Sequence, residues 1–360
     1  VGHNALTSNT EGYANTSIGT ESLESNTTGS YNVAVGYEAL EDNTTGSGNS
    51  ALGFDALYLN TTGGSNTAIG NSALLSNTTG GQNTALGRQA LTSNTTASNN
   101  IAVGYQSLKG NTTGDDNVAV GRDALTANTT GRNNIAVGTD ALTKNTTGVD
   151  NVAIGDSAMA DNTTGSNNTA IGNWALDTNT TGWNNVAVGL DALSSNTTAS
   201  YNTTVGFQSM GTNSTGDKNT AMGYQSFALN TTGANNTAVG YWALVNNTTG
   251  RKNIAIGNGA LDAPDTEDHN LAIGYDALGG AIAGGEYNVA IGNYSLDANT
   301  TGDENVAVGY GSLGANTTGG GNTAIGSEGL KVNTTGDYNT ASGSWALHSN
   351  TTGDGNTASG

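Results

Sequence analysis

Residues 26–42 read Asn-Thr-Thr-Gly-Ser-Tyr-Asn-Val-Ala-Val-Gly-Tyr-Glu-Ala-Leu-Glu-Asp, and residues 43–59 repeat the pattern as Asn-Thr-Thr-Gly-Ser-Gly-Asn-Ser-Ala-Leu-Gly-Phe-Asp-Ala-Leu-Tyr-Leu. The same 17-residue unit recurs from Asn9 to Asn247 and, after one inserted residue, from Asn299 to Asn350. We count positions within the repeat from this Asn, so that Asn26 is the first residue of its repeat, Asn32 the seventh and Leu40 the fifteenth.

This period decides the fold class. A helical hairpin repeat takes more than about 30 residues, and the abundant Gly and Thr are poor helix formers. Short β-branched runs bounded by Gly and Asn, such as Val33-Ala34-Val35-Gly36, are typical of strands. The sequence therefore predicts an all-β fold, a parallel β-solenoid (β-roll) with one 17-residue repeat per coil. Coils stacked at about 4.8 Å would form one array of about 21 coils over residues 1–360.

One zone departs from the pattern. At 262–287 the repeat loses its Asn-Thr-Thr-Gly, with Pro264 and Ala281 at the first position, and gains the extra residue. Proline has no amide hydrogen to donate. We therefore expect a bulge or local loop in this zone, with regular stacking resuming by Asn288.

Three positions carry the structural prediction. The seventh is Asn in all 21 copies, and stacked Asn side chains can hydrogen-bond along a column as an amide ladder. The eleventh is Gly throughout, which indicates positive φ or no room for a Cβ. The fifteenth is nearly always Leu and is the best candidate for the coil interior. The predicted Asn ladder includes Asn32, Asn49, Asn66, Asn83, Asn100, Asn117, Asn134 and Asn151.

The ninth and tenth positions are both apolar in most copies, as in Ala34 and Val35. Consecutive strand residues face opposite sides. One side would be the coil interior, and the other would need a partner such as a second copy of the chain. Alternatively, the strand bends here and turns both residues inward.

Composition limits the function classes. The net charge is −20, which disfavours binding to phosphate backbones, so we expect no nucleic-acid partner. Cysteine is absent, and no apolar run has the 18 residues of a membrane span. The histidines, His3, His269 and His348, lie in different repeats and share no spacing, so neither a triad nor a metal site is predicted. We therefore expect no enzymatic activity.

The stretches Asn-Thr-Ala-Ile-Gly (66–70) and Asn-Val-Ala-Ile-Gly (151–155) resemble the YadA-like head repeats of trimeric autotransporter adhesins. Similar motifs with interleaved Asn-Thr-Thr-Gly look like repeats of bacterial surface fibres and phage tail fibres. The resemblance implies a left-handed roll, self-association, and a location outside the cell, at its surface or on a virion fibre.

The Asn-Thr-Thr turns fit the N-x-[ST] glycosylation pattern, although the same residues also make good turns. A glycan could be carried by Asn or by the adjacent Thr27, Thr28 and their equivalents. The candidates are Asn26, Asn43, Asn60, Asn77, Asn94, Asn111, Asn128, Asn145, Asn162, Asn179, Asn196, Asn213, Asn230, Asn247, Asn299, Asn316, Asn333 and Asn350.

Two further features have competing interpretations. Aromatic rings recur at the twelfth position, among them Tyr37, Phe54 and Tyr310, and either cover the Leu column or form a stripe for sugars or a neighbouring chain. No cofactor is expected. The best place for calcium is the acidic segment with Asp262, Asp265, Glu267 and Asp268, although a solvated loop is the simpler interpretation of this segment.

The sequence thus predicts a non-enzymatic extracellular fibre or filament shaft that associates with itself laterally or end to end. The alternative is an adhesin head or phage tail-fibre module that binds a receptor or sugar through its lateral face.

Overall fold

The computed structural model describes residues 1–263, 266–280 and 285–360. These residues form a parallel β-solenoid with 21 three-residue strands and no helix among them, which confirms the predicted fold class. Each strand occupies the eighth to tenth positions of its repeat, so each turn of the solenoid uses about 17 residues.

The chain divides into two compact units, Val1–Gly182 and Trp183–Gly360. The strands of the first unit are β1 Thr16–Ile18, β2 Val33–Val35, β3 Ser50–Leu52, β4 Thr67–Ile69, β5 Thr84–Leu86, β6 Ile101–Val103, β7 Val118–Val120, β8 Ile135–Val137, β9 Val152–Ile154 and β10 Thr169–Ile171. Those of the second are β11 Val186–Val188, β12 Thr203–Val205, β13 Thr220–Met222, β14 Thr237–Val239, β15 Ile254–Ile256, β16 Leu271–Ile273, β17 Val289–Ile291, β18 Val306–Val308, β19 Thr323–Ile325, β20 Thr340–Ser342 and β21 Thr357–Ser359.

Within each unit, successive strands pair in parallel, with equivalent residues opposite one another, as Ala34 is opposite Ala51. Backbone hydrogen bonds between coils continue outside the strands. The Leu40 N–H donates to the Ala56 carbonyl at 3.0 Å, and the Thr44 N–H donates to the Thr61 carbonyl at 2.9 Å. Such short strands are therefore supported by a ladder that continues into the turns.

The interior of each coil is narrow and is filled from three positions. Ala34, Ala39 and Leu40, at the ninth, fourteenth and fifteenth positions, are completely buried, as are most of their equivalents. Small Ala side chains let the walls of the coil approach each other, and Leu fills the remaining space. The assignment of the fifteenth position to the interior is confirmed.

Glycine at the eleventh position is required on both of the predicted grounds. Gly36 has a φ of 145°, and a Cβ on it would lie 2.2 Å from the Gly53 carbonyl oxygen of the next coil. No side chain fits that space. The coil consequently turns at this residue, which ends the strand.

The sequence did not predict how many other residues are left-handed. The sixth, thirteenth and fifteenth positions also have positive φ, with 59° at Tyr31, 55° at Glu38 and 56° at Leu40. This region costs an ordinary L-residue about 1–2 kcal/mol. Tight corners are needed to close a 17-residue coil, and the buried Leu side chain compensates for its own backbone cost.

The predicted irregular zone at 262–287 lies partly outside the described residues, which exclude 264–265 and 281–284. The hydrogen bonds of the seventh-position column connect the coils before and after each of these gaps. The Asn270 N–H donates to Asn253 Oδ1 at 2.9 Å, and the Asn288 N–H donates to Asn270 Oδ1 at 3.0 Å. The inserted residue therefore leaves this column intact.

Replacing Leu142 by Ala tests the interior. Leu142 is completely buried, so we expect the free energy of unfolding to fall by about 2–5 kcal/mol. The control is Asp140→Asn in the same coil, which keeps a residue type that tolerates positive φ and should change stability by less than about 0.5 kcal/mol. Chemical denaturation would measure both, and equal effects would contradict the assignment.

Candidate functional surfaces

The first-position Asn residues, the glycosylation candidates, lie inside the coil. From Asn26 to Asn333 their side chains are fully buried, and only Asn350 is half-buried. Asn43 Nδ2 donates to Asn26 Oδ1 at 2.8 Å and to the Gly46 carbonyl at 3.0 Å. The Asn of the glycosylation pattern therefore does not face solvent. A glycan on Asn stays a prediction, and in the folded coil its acceptor nitrogen is enclosed.

The two Thr residues of each turn differ from one another. Thr27 is half-buried, and its hydroxyl donates to the Thr44 carbonyl at 3.0 Å. Thr28 is exposed. The exposed hydroxyl of the third position is therefore the accessible glycan acceptor on the turn.

The seventh-position Asn side chains are bonded differently from the predicted amide ladder. Asn32 Oδ1 accepts the backbone N–H of Asn49 at 2.9 Å, while Asn32 Nδ2 donates to the Gly46 carbonyl of the next coil at 2.9 Å. From Asn117 onward, some copies add an amide-to-amide contact, as from Asn117 Nδ2 to Asn100 Oδ1 at 3.2 Å. The seventh position ties side chain to backbone. The amide-to-amide column lies at the first position and is interrupted where the sequence has Pro264 and Ala281.

The outer face of the strands carries a mostly apolar column at the tenth position, beside eighth-position residues that are Thr or Ser in 11 of the 21 strands. In β3, β4 and β5 the ninth-position Ala is buried, whereas the tenth-position residues are exposed, with 50% for Leu52, 38% for Ile69 and 44% for Leu86. The alternative in which both residues turn inward is therefore wrong. Eighth-position residues share the outer face, as Ile101 does. We call the eighth- and tenth-position side chains of each unit the outer strand face.

Most twelfth-position rings are exposed, and some of them stack where adjacent coils both carry a ring. The Tyr37 and Phe54 rings are 5.2 Å apart and nearly parallel at 10°. Leu142 is fully buried although the twelfth position of its coil is Thr139, so the leucine column needs no aromatic cover. Cover of the Leu column by these rings stays a prediction, and burial of the Leu does not require it. The other exposed rings are Tyr105, Tyr224, Tyr241, Tyr275 and Tyr310.

The acidic segment proposed for calcium is only partly described, because Asp265 lies outside the described residues. The Glu267 carboxylate accepts the Thr266 N–H at 2.8 Å, and Asp268 Oδ1 accepts the Arg251 N–H at 2.6 Å. Both carboxylates thus bind backbone amides. Calcium at this segment stays a prediction.

One carboxylate cluster was missed by sequence reasoning. Oxygens of Glu21, Glu38 and Glu41 lie within 4.8 Å of one another. Burial, followed by the charge of Glu38, raises the pKa of Glu41 to about 7. The three residues belong to adjacent coils and occupy the thirteenth and sixteenth positions, so the 17-residue spacing could have indicated their proximity.

Replacing Asn128 by Ala tests the buried amide column. The change removes one hydrogen-bond partner each from Asn111 Oδ1, the Gly131 carbonyl and Asn145 Nδ2. We therefore expect the free energy of unfolding to fall by about 3 kcal/mol or more. Thr130→Ala in the same turn is the control. Because Thr130 is exposed, this change should leave the free energy of unfolding within about 0.5 kcal/mol of the wild-type value. Similar unfolding midpoints for the two variants would contradict the burial of this Asn.

The Glu41 carboxyl is expected to make the stability of the fold depend on pH. Its folded pKa of about 7 exceeds the model-compound value of 4.5, so the folded state binds more protons between these values. Stability should therefore rise as the pH falls from about 7 to 4.5. Because solvent screens this partly exposed group, its contribution to the free energy of unfolding is limited to about 1 kcal/mol.

Thermal unfolding of Glu41→Gln across this range provides the measurement. The variant should show a flatter dependence of Tm on pH than the wild type, whereas the exposed Glu304→Gln should keep the wild-type slope. A wild-type Tm that rises from pH 5 to pH 7, with the same slope in Glu41→Gln, would contradict the assignment.

Among the described residues, no helix has the length and apolar character needed to span a membrane. Comparison of the chain with models of known families and with curated proteins gives no match. The resemblance to adhesin head repeats stays a prediction that rests on the short repeat motif, and function is inferred from the surfaces described above.

Proposed function

We propose that the chain is a structural module of an extracellular fibre, and that copies associate laterally through the outer strand face. The observation that carries this proposal is the exposure of tenth-position aliphatic residues, such as Leu52, Ile69 and Leu86, in successive strands. Contiguous exposed apolar surface of this kind marks an interaction site in soluble proteins.

The geometry of the face favours a second copy of the chain as its partner. Equivalent residues are opposite one another in successive strands, so the tenth-position residues form columns that repeat at the interstrand spacing. A second array has the same spacing and the same apolar side chains. Two copies can therefore match each other coil by coil, which a partner without this period cannot do.

The interior of the coil suits a load-bearing role. Each coil is joined to the next by backbone ladders, by the first-position amide column and by the seventh-position Asn, as at Asn43 and Asn49. These bonds all run between neighbouring coils. A pull along the stacking direction is shared among many parallel hydrogen bonds in each coil.

The exposed twelfth-position rings and third-position Thr hydroxyls lie outside this interior and are available for contacts beyond the shaft. Thr28 and its equivalents are the proposed sites for any glycan on the folded module, because their hydroxyls are exposed. A receptor-binding role through the lateral face is the alternative proposal. The apolar columns of the outer strand face would support receptor binding only if the receptor matched their spacing.

Lateral association can be tested with the triple variant Leu52→Lys, Ile69→Glu and Leu86→Lys. These residues occupy the outer face of adjacent strands, and alternating charges pair across strands instead of repelling. We expect the wild type to sediment as an oligomer and the variant as a monomer with an unchanged circular dichroism spectrum.

The matched control places the same charges on exposed turn residues, as Thr45→Lys, Thr62→Glu and Thr79→Lys. This variant should remain oligomeric. A wild type that is monomeric by sedimentation velocity at all accessible concentrations, or an outer-face variant that still assembles, would overturn the proposal.

A further inference from the structure

The second unit contains a groove that the repeat pattern does not predict. It has a volume of about 490 Å³, and the residues that line it include Tyr294, Asp297, Tyr310, Gly311, Gly314 and Lys331. This volume falls within the range of about 300–1,000 Å³ that is usual for small-molecule sites.

The groove exists because two side chains are missing from one coil. Gly311 and Gly314 occupy the thirteenth and sixteenth positions, and no other repeat in the sequence has Gly at both. Other coils carry larger residues there, for example Gln106 and Thr126. A Cβ on Gly311 would have only Glu328 Cγ nearby, at 3.9 Å, so the space above it is open.

Aromatic and charged side chains border this space. The Tyr294 and Tyr310 rings are 6.0 Å apart and almost perpendicular at 85°, and they are 39% and 53% exposed. Asp297 and Lys331 belong to the coils on either side of Gly311. Lys331 also forms an ion pair with Glu328.

The groove is lined by one carboxylate and one ammonium group, which favours a ligand without net charge. Neither an anion nor a cation can pair with both groups, whereas one hydroxyl group can donate to the carboxylate and another can accept from the ammonium group. Aromatic faces carry partial negative charge and attract the weakly positive C–H groups of a ring. The arrangement combines hydroxyl recognition with an apolar stacking surface.

We propose that this groove binds a neutral saccharide unit, with a sugar ring packed against Tyr294 or Tyr310 and its hydroxyl groups bonded to Asp297 and Lys331. The site is separate from the outer strand face and does not depend on self-association. Partial burial, followed by the charge of Asp276, raises the pKa of Asp297, which indicates that this carboxyl is incompletely hydrated and gains from a hydroxyl donor.

Saturation-transfer-difference NMR on the full chain provides the test, because the method observes the ligand and tolerates a large or oligomeric protein. The probes are the methyl glycosides of glucose, galactose, mannose and N-acetylglucosamine, titrated to millimolar concentrations. Glycine betaine, a zwitterion that could pair with both Asp297 and Lys331, and acetate, an anion, serve as charged comparisons. We expect saturable binding of at least one glycoside and weaker or no binding of both comparisons.

Three variants locate the binding. Gly311→Gln fills the groove with a residue that other coils carry at this position with positive φ, such as Gln106, and Tyr310→Ala removes one stacking ring. Each should raise the apparent Kd by about tenfold or more. Tyr105→Ala, at the same repeat position in the other unit, is the control and should leave the Kd unchanged.

The proposal is overturned if none of the four glycosides gives saturable transfer, if betaine or acetate binds more tightly than every glycoside, or if Gly311→Gln binds as the wild type does. Circular dichroism and Tm of each variant show that it is folded. Should Gly311→Gln fail to fold, Gly314→Thr fills the neighbouring part of the groove and replaces it in the test.

Discussion

The whole structure depends on hydrogen bonds that each coil makes to the same atoms of its neighbour. Two buried Asn side chains in every regular coil carry this constraint. At the first position an amide bonds the next amide, and at the seventh an amide bonds backbone groups of adjacent coils, as Asn43 and Asn32 illustrate. A buried amide without partners costs about 1–3 kcal/mol. Asn at these positions therefore stabilises the coil only while its neighbours are stacked in register.

Because the interior is so narrow, its composition is almost fixed. Ala and Leu fill the apolar part, Asn closes the polar part, and Gly36 and its equivalents occupy places where a Cβ would collide with the next coil. Most variation consequently lies at outward positions, with interior exceptions such as Ser107, Thr204 and Phe227. The outer strand face, the twelfth-position rings and the groove at Gly311 are the places where coils differ in chemistry.

Much of this architecture could be predicted from the sequence, because strict periodicity reveals any position that every coil needs. The seventh-position Asn, the eleventh-position Gly and the fifteenth-position Leu were identified in this way. The burial of Asn26 was not, since Asn-Thr-Thr-Gly is also an ordinary exposed turn and a glycosylation pattern. The positive φ of Leu40 was hidden because leucine rarely adopts it, and only closure of the coil requires it.

The groove could not be predicted for a different reason. It arises from side chains that are absent, and Gly is so frequent in this chain that two further copies are not conspicuous. Only the register of the coils shows that Gly311 and Gly314 face the same space between Tyr294 and Lys331. Proximity between coils likewise explains the cluster of Glu21, Glu38 and Glu41, which are distant in sequence.

Identical interiors create an ambiguity for the folding chain. A coil that docks one repeat too early finds the same Asn, Gly and Leu partners, so an out-of-register array keeps nearly all of its contacts. Exceptional coils remove this degeneracy. Phe227 replaces the interior Leu, Thr204 replaces the interior Ala, and Asn247 has a buried Oδ1 without a bonded amide above it. Such residues make contacts that only the native register satisfies, so they give that register a lower free energy than the others.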